Sequence, residues 1–124
     1  MTKDKALFNW WQQFGIPFYP TTALPPAEDI TFPYGTYEPI FGYFGDVLPV
    51  SVKLYFRTES EAIPNAKAKE IGDEIGDGGA IIHCDNGFLW VKRGSPFVQG
   101  MLDPDNQNIK MRYLQITIDD LTTN

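Results

Sequence analysis

The chain has 124 residues, of which 10 are basic and 16 are acidic, so its formal net charge is −6. This length suits a single domain, 1–124, and one cysteine leaves no intramolecular disulfide and no cysteine-based zinc cluster. The acidic balance argues against binding nucleic acid by neutralising its phosphates. Because no apolar run is long enough to cross a bilayer and the N-terminus has no apolar signal-peptide region, we expect a soluble protein made in the cytoplasm, with no membrane partner.

The first predicted element is an amphipathic helix over residues 2–14. Its apolar stripe consists of Leu7, Trp10, Trp11 and Phe14. One helix face cannot fully bury two adjacent tryptophans, so either both pack in the core or one ring, for which we choose Trp11, covers the next segment or a neighbouring subunit. That next segment, 16–33, holds five of the ten prolines, which predicts an extended irregular arm rather than a second element.

Two predicted strands and an aromatic loop follow this arm. Residues 34–40 form a short edge strand between two prolines. Residues 47–58 alternate, with Val50, Val52, Leu54 and Phe56 on one face, which is typical of a strand with one buried side. Between the strands, residues 41–46 form a glycine-rich tip, and we predict that its rings contact a partner protein. These rings are Phe41, Tyr43 and Phe44.

The second half of the chain predicts one helix and three strands. Helical spacing covers 60–76, and Asn86-Gly87 between two apolar runs predicts a β-hairpin. Residues 94–108 form a second irregular arm, in which Pro96 and Phe97 are further candidate contacts. In the last strand, 109–119, the apolar alternation slips after residue 113, which predicts a bulge or a change of packing environment.

This order of elements predicts an α+β fold. Strands that follow one another closely along the chain favour antiparallel pairing. We therefore expect one domain with a central antiparallel β-sheet of about four to five strands, packed by two helices on one face.

The sequence contains no catalytic constellation. His83 and Cys84 are adjacent on a predicted strand, so their side chains point to opposite faces and cannot share a proton. Asp103 and Asp105 are spaced like the start of a calcium loop, but Asn108 stands at the sixth position, where that loop requires glycine. We predict no catalytic, cofactor-binding or metal-binding residue. A small enzyme would need carboxylates that converge in a cleft, which sequence alone cannot reveal.

A series of short motifs with structural rather than catalytic character spans nearly the whole chain. They are WWxxFGIP at 10–17, FPYGTYE at 32–38, KA at 67–68, GGAII at 78–82, DNGFLW at 85–90, RGSPFVQ at 93–99, MLD at 101–103 and YLQI at 113–116. In this order and combination, the chain resembles a family of small neck proteins of long-tailed bacteriophages and prophages, the tail-terminator, tail-completion or head–tail joining proteins.

The resemblance implies a virion structural protein without enzymatic activity. Such a protein has an α/β sandwich fold and forms a ring, commonly a hexamer, at the head-proximal end of the tail tube, after assembly in the host cytoplasm. Its partners would be further copies of itself, the tail tube protein and the head connector protein, while DNA passes through the ring without specific binding. The alternative is a monomeric adaptor that binds one protein through its aromatic-rich loops, and ring formation distinguishes the two.

Overall fold

A computed structural model describes residues 1–102, 106 and 108–123 and contains one six-stranded sheet with two α-helices. The elements in chain order are α1 (Lys3–Trp11), β1 (Phe18–Pro20), β2 (Tyr34–Tyr37), β3 (Val47–Arg57), α2 (Ala62–Ile75), β4 (Ala80–Cys84), β5 (Gly87–Leu102) and β6 (Ile109–Thr122). Short 3₁₀ turns occupy Gln12–Phe14 and Ala27–Asp29. The two helices and one sheet confirm the α+β class. The strand order is β1-β2-β3-β6-β5-β4, and because β1 is parallel to β2 the sheet is mixed and has six strands, which corrects the predicted antiparallel sheet of four to five.

The two helices and the hairpin lie where the sequence predicts them. Helix α1 begins after Thr2, whose hydroxyl accepts a hydrogen bond from the Lys5 N–H at 3.3 Å. The chain leaves helical geometry at Gly15, which has a φ of 79° that favours glycine. In the hairpin between β4 and β5, Cys84 pairs with Gly87, and Asn86 supplies the left-handed turn residue with a φ of 63°.

Both segments predicted to be irregular arms contain strand residues, which corrects the prediction. Within 16–33, β1 pairs with β2 in parallel, and the N–H of Gly35 donates to the carbonyl of Pro17 at 2.9 Å. Within 94–108, residues 94–102 continue β5 along β6, with an irregularity between Arg93 and Val98. The rest of that predicted arm, including Asp103 and Asp105, falls largely on positions outside the described residues.

Strand β6 carries no bulge where the alternation of its apolar residues slips. Its pairing with β3 is continuous from Val47↔Asp119 to Arg57↔Ile109. Buried and half-buried residues alternate without interruption along its whole length. The apolar residues change from one face to the other after Tyr113, so of the two alternatives the change of packing environment fits β6 itself. The irregularity at this level of the sheet lies in the facing strand β5, between Arg93 and Val98, which pair with Ile116 and Leu114.

Both helices pack on one face of the sheet and leave the other face uncovered by any described helix. The buried side chains of β3, β5 and β6 meet those of α1 and α2 in one core. Its fully buried members include Leu7, Trp11, Val52, Leu54, Ile71, Ile75, Leu89, Val91, Leu114, Ile116 and Ile118. We call the side of the sheet opposite this core the open face. Neither helix within the described ranges is long and apolar enough to cross a membrane.

Candidate interaction surface

The loop 41–46 carries the most exposed aromatic side chains among the described residues. Phe41 is 85%, Tyr43 82% and Phe44 62% exposed, although all three are large and apolar or amphipathic. The hydration of such exposed aromatic rings is unfavourable, and this free-energy cost is removed only when a partner covers them. We refer to these three rings and their loop as the aromatic tip.

The backbone of the aromatic tip is held by a set of hydrogen bonds. The N–H of Tyr43 donates to Asp46 Oδ2 at 2.8 Å, and the N–H of Asp46 donates to the Tyr43 carbonyl at 3.0 Å. Gly45 donates to the carbonyl of Asp120 at 2.7 Å, and the N–H of Asp120 donates to the carbonyl of Asp46 at 2.9 Å. Because these hydrogen bonds already fix the loop, it loses little conformational entropy when a partner binds.

A partly buried ion pair connects the aromatic tip to the N-terminal helix. Lys3 Nζ lies 2.7 Å from Asp120 Oδ2 and also donates to the carbonyl of Gly42 at 2.9 Å. Asp120 is fully buried, and its other oxygen accepts hydrogen bonds from the N–H and hydroxyl of Thr122 at 3.1 and 2.5 Å. Burial opposes ionisation of Asp120, but the hydrogen bonds from Lys3 and Thr122 outweigh it and hold the pKa of this carboxyl below its usual value.

An apolar depression of about 410 Å³ lies beside the aromatic tip, between the tip and helix α1. Its lining includes Phe41, Phe8, Pro39 and Tyr37. Burial and, to a smaller extent, the nearby carboxylate of Asp4 raise the pKa of Tyr37 to about 12, so its hydroxyl stays neutral and can donate a hydrogen bond. A concave apolar site next to protruding rings is typical of a surface that binds protein.

The other candidate contact residues do not join the aromatic tip. Trp11 is fully buried and packs against Phe18 of β1 at 5.0 Å between ring centroids, so its choice as an interface residue is wrong for this fold. It covers the proline-rich segment instead, which was one of the options left open. Phe97 is half-buried and lies against Gly72 of α2, where an added Cβ would sit 3.0 Å from the ring. Pro96 is exposed in the β5 irregularity, in the middle of the sheet rather than at its tip end.

The open face carries an apolar row that the sequence interpretation missed. Tyr34, Tyr55, Met111 and Met101 are directly opposite one another on β2, β3, β6 and β5, so their side chains share this face. Tyr34 and Tyr55 stack at 4.6 Å between centroids, with an angle of 11° between their planes. The slip in the apolar alternation of β6 already indicates that Met111 and Tyr113 face away from the core. The other residues of the row lie on strands from distant parts of the chain, so the sequence does not reveal the row.

The structure keeps the two residues considered for nucleophilic catalysis apart. His83 is exposed and Cys84 packs against the core from the other side of β4, as adjacent strand residues must. Burial raises the pKa of the Cys84 thiol, which disfavours the thiolate form needed for nucleophilic attack. Among the described side chains, no group of three metal-ligating residues lies close enough together to hold an ion.

Comparison of this chain with protein-family models, with curated proteins and with solved structures finds no match.

Proposed function

We propose that this chain is a structural subunit of the neck of a long-tailed phage or prophage virion, a tail-terminator or head–tail joining protein that forms a ring at the head-proximal end of the tail tube. The observation that carries the proposal is the aromatic tip, three exposed rings on a loop that is fixed before any partner arrives. Surfaces of this composition are typical of protein contacts that are made permanently in an assembly.

The fold and the charge agree with this proposal. An α+β domain with both helices on one face of its sheet matches the architecture that the resemblance implies. A net charge of −6 suits the wall of a channel, because repulsion from phosphate lets DNA pass without sticking. The aromatic tip supports a protein contact, and the motifs of the resemblance connect that contact with the virion neck.

The first experiment measures the mass of the purified chain in solution by light scattering over a wide concentration range, with and without magnesium. We expect a discrete ring of about six subunits, which by electron microscopy caps the ends of tubes assembled from the tail tube protein of the same virus. A chain that stays monomeric at every concentration and does not bind tail tubes would contradict the proposal and favour the monomeric adaptor.

A variant of the aromatic tip links the assembly to the observation. Replacing Phe41, Tyr43 and Phe44 together by Ser should weaken assembly and leave the thermal unfolding of the subunit nearly unchanged, because these rings pack little within the chain. The matched control is Leu24→Ser, which removes another apolar side chain, 49% exposed, from the proline-rich segment. If the melting temperature of the triple variant collapses, the rings belong to the core and the tip is not a contact surface.

A further inference from the structure

The open face has a composition that differs from that of a sheet surface made only for water. A solvated face of an antiparallel sheet normally alternates polar residues outward. Here one full row across four strands is aromatic or thioether, from Tyr34 through Tyr55 and Met111 to Met101, and Met101 is 49% exposed. Tyrosine and methionine are the residue types enriched in protein interfaces, so the row favours a protein partner.

The open face is also large enough for a specific interface. The six strands contain 53 residues in total, and at about 3.3 Å per residue and about 4.8 Å between strands they cover roughly 840 Å². A standard interface buries about 800 Å² on each partner. One partner layer on this face therefore provides enough contact for stable association.

The charge of the open face has the opposite sign to that of the whole chain. The three longest strands place three cations and one carboxylate on it: Lys53, Arg57 and Lys92, with Asp119. Lys92 is paired with Asp119 at 3.0 Å, and Arg57 lies over the ring of Phe32 at 4.5 Å. Lys53 forms no ion pair with any described residue, so it is available to a carboxylate from outside.

Helix α2 and the turn after it present the complementary charge. Residues 66–77 contain four carboxylates and two lysines. Lys67 and Lys69 are paired with Glu70 and Asp73 on the same helix, at 3.1 and 2.6 Å. Asp77 is paired with Arg93 of β5. Glu74 is exposed and forms no ion pair within the part of the chain that the structure describes.

We infer that the open face of one subunit receives the acidic side of helix α2 from a second copy of this chain. The inference rests on the proposed ring and names the two surfaces that meet in it. Because the surfaces differ, the contact is heterologous and propagates from subunit to subunit until the ring closes. Sheet and helix layers then alternate around the assembly, and the aromatic tip, which adjoins Val47 at the end of the open face, extends the same interface.

Two charge-reversed chains test this contact directly. The face-reversed chain carries Lys53→Glu and Arg57→Glu, and the helix-reversed chain carries Glu70→Lys and Glu74→Lys. Each chain alone brings like charges together at every contact, which should weaken association by at least about tenfold. When the two chains are mixed, every contact again joins opposite charges, so the mixture should assemble with subunits in alternation.

The control chain carries Glu28→Lys and Asp29→Lys, which change the net charge by the same amount as the helix reversal, at exposed positions outside α2. It should assemble like the wild type. Circular dichroism and urea unfolding confirm that each chain is folded before light scattering measures the mass of each chain and of the mixture.

The outcomes separate the inference from the proposed function. Monomeric single chains with an assembling mixture support the α2 contact. If the wild type forms rings and the reversed chains form them equally well, the inference is wrong and the ring stands. If neither the wild type nor the mixture associates at high concentration, the inference is also wrong, and capping of tail tubes then decides the proposed function separately.

Discussion

The carboxylate of Asp120 holds the aromatic tip in place, and its removal should lower the stability of the fold directly. Asp120→Ala removes a fully buried carboxylate that joins α1, the tip and the end of β6. The substitution leaves the N–H and hydroxyl of Thr122 without an acceptor in a site with 1% exposure. It also leaves the Lys3 ammonium, whose side chain is 21% exposed, without its counter-charge.

The expected loss follows from these three groups. The two buried donors of Thr122 and the partly exposed ammonium of Lys3 each lose about 1 kcal/mol, so unfolding should become easier by about 3 kcal/mol. For a domain of this size the melting temperature should fall by roughly 10 °C. Urea unfolding measures the loss, and Asp46→Ala, which removes an exposed carboxylate with one hydrogen bond in the same loop, serves as the control.

The pH dependence gives an independent check of the same group. Since folding lowers the pKa of Asp120 below its ordinary value of 3.8, its contribution is complete above that pH and disappears as the pH falls through the lower folded value. The difference in stability between the wild type and Asp120→Asn should therefore shrink below about pH 3.8. If Asp120→Ala unfolds within about 1 kcal/mol of the wild type, the carboxylate does not anchor the tip.

Three further substitutions test the core. Leu54→Asp places an unpaired charge in the fully buried face of β3 and should prevent folding; soluble, folded protein with a native circular dichroism spectrum would mean that this face is not core. Trp11→Phe should cost far less than the loss of about 4 kcal/mol expected for Trp11→Ala, because phenylalanine fills most of the site and the buried indole N–H has no acceptor among the described residues. Equal losses in urea unfolding would contradict this. Gly35→Ala places a Cβ 2.3 Å from the buried ring of Phe18 and should destabilise by about 2 kcal/mol, whereas an unchanged melting temperature would mean that the ring can move.

The elements that sequence alone predicts correctly are those whose signal is local. The stripe of α1, the spacing of α2, the alternation of β3 and the Asn86-Gly87 turn each lie within one short window. Strand β1 has no such signal, since three residues ending in Pro20 become a strand only by pairing with β2, 17 positions later. In β5, residues 94–102 belong to the predicted irregular arm, but the sheet includes them with an irregularity after Arg93, where a Cβ on Gly94 would lie 2.8 Å from the Gln115 carbonyl.

The candidate surface likewise has features that the sequence predicts and features that it does not. The exposure of the aromatic tip could be expected from rings in a glycine-rich loop, whereas its anchor could not, because Lys3 and Asp120 are 117 positions apart. The sequence assigns Trp11 to an interface because one helix face cannot fully bury two adjacent tryptophans. In the structure the proline-rich segment supplies the additional cover. The cross-strand row on the open face depends on the register of four strands, which no single window contains.

At the start of β6 the apolar side chains lie on the open face and the charged side chains lie on the side of the helices. At 110 and 112 the strand turns Lys110 and Arg112 towards the helices, where both are buried and Arg112 donates to Asn65 at 2.9 Å and to Glu61 at 2.5 Å. The hydrogen bond from Arg112 lowers the pKa of Glu61, which therefore remains a carboxylate between the two cations. In a lone subunit these polar contacts are made inside the fold while Met111 stays partly exposed, so less apolar surface is removed from solvent than if the two faces were exchanged. The second protein layer that we propose on the open face would cover Met111, and it would account for the apolar residues that the slip in the alternation places on that face.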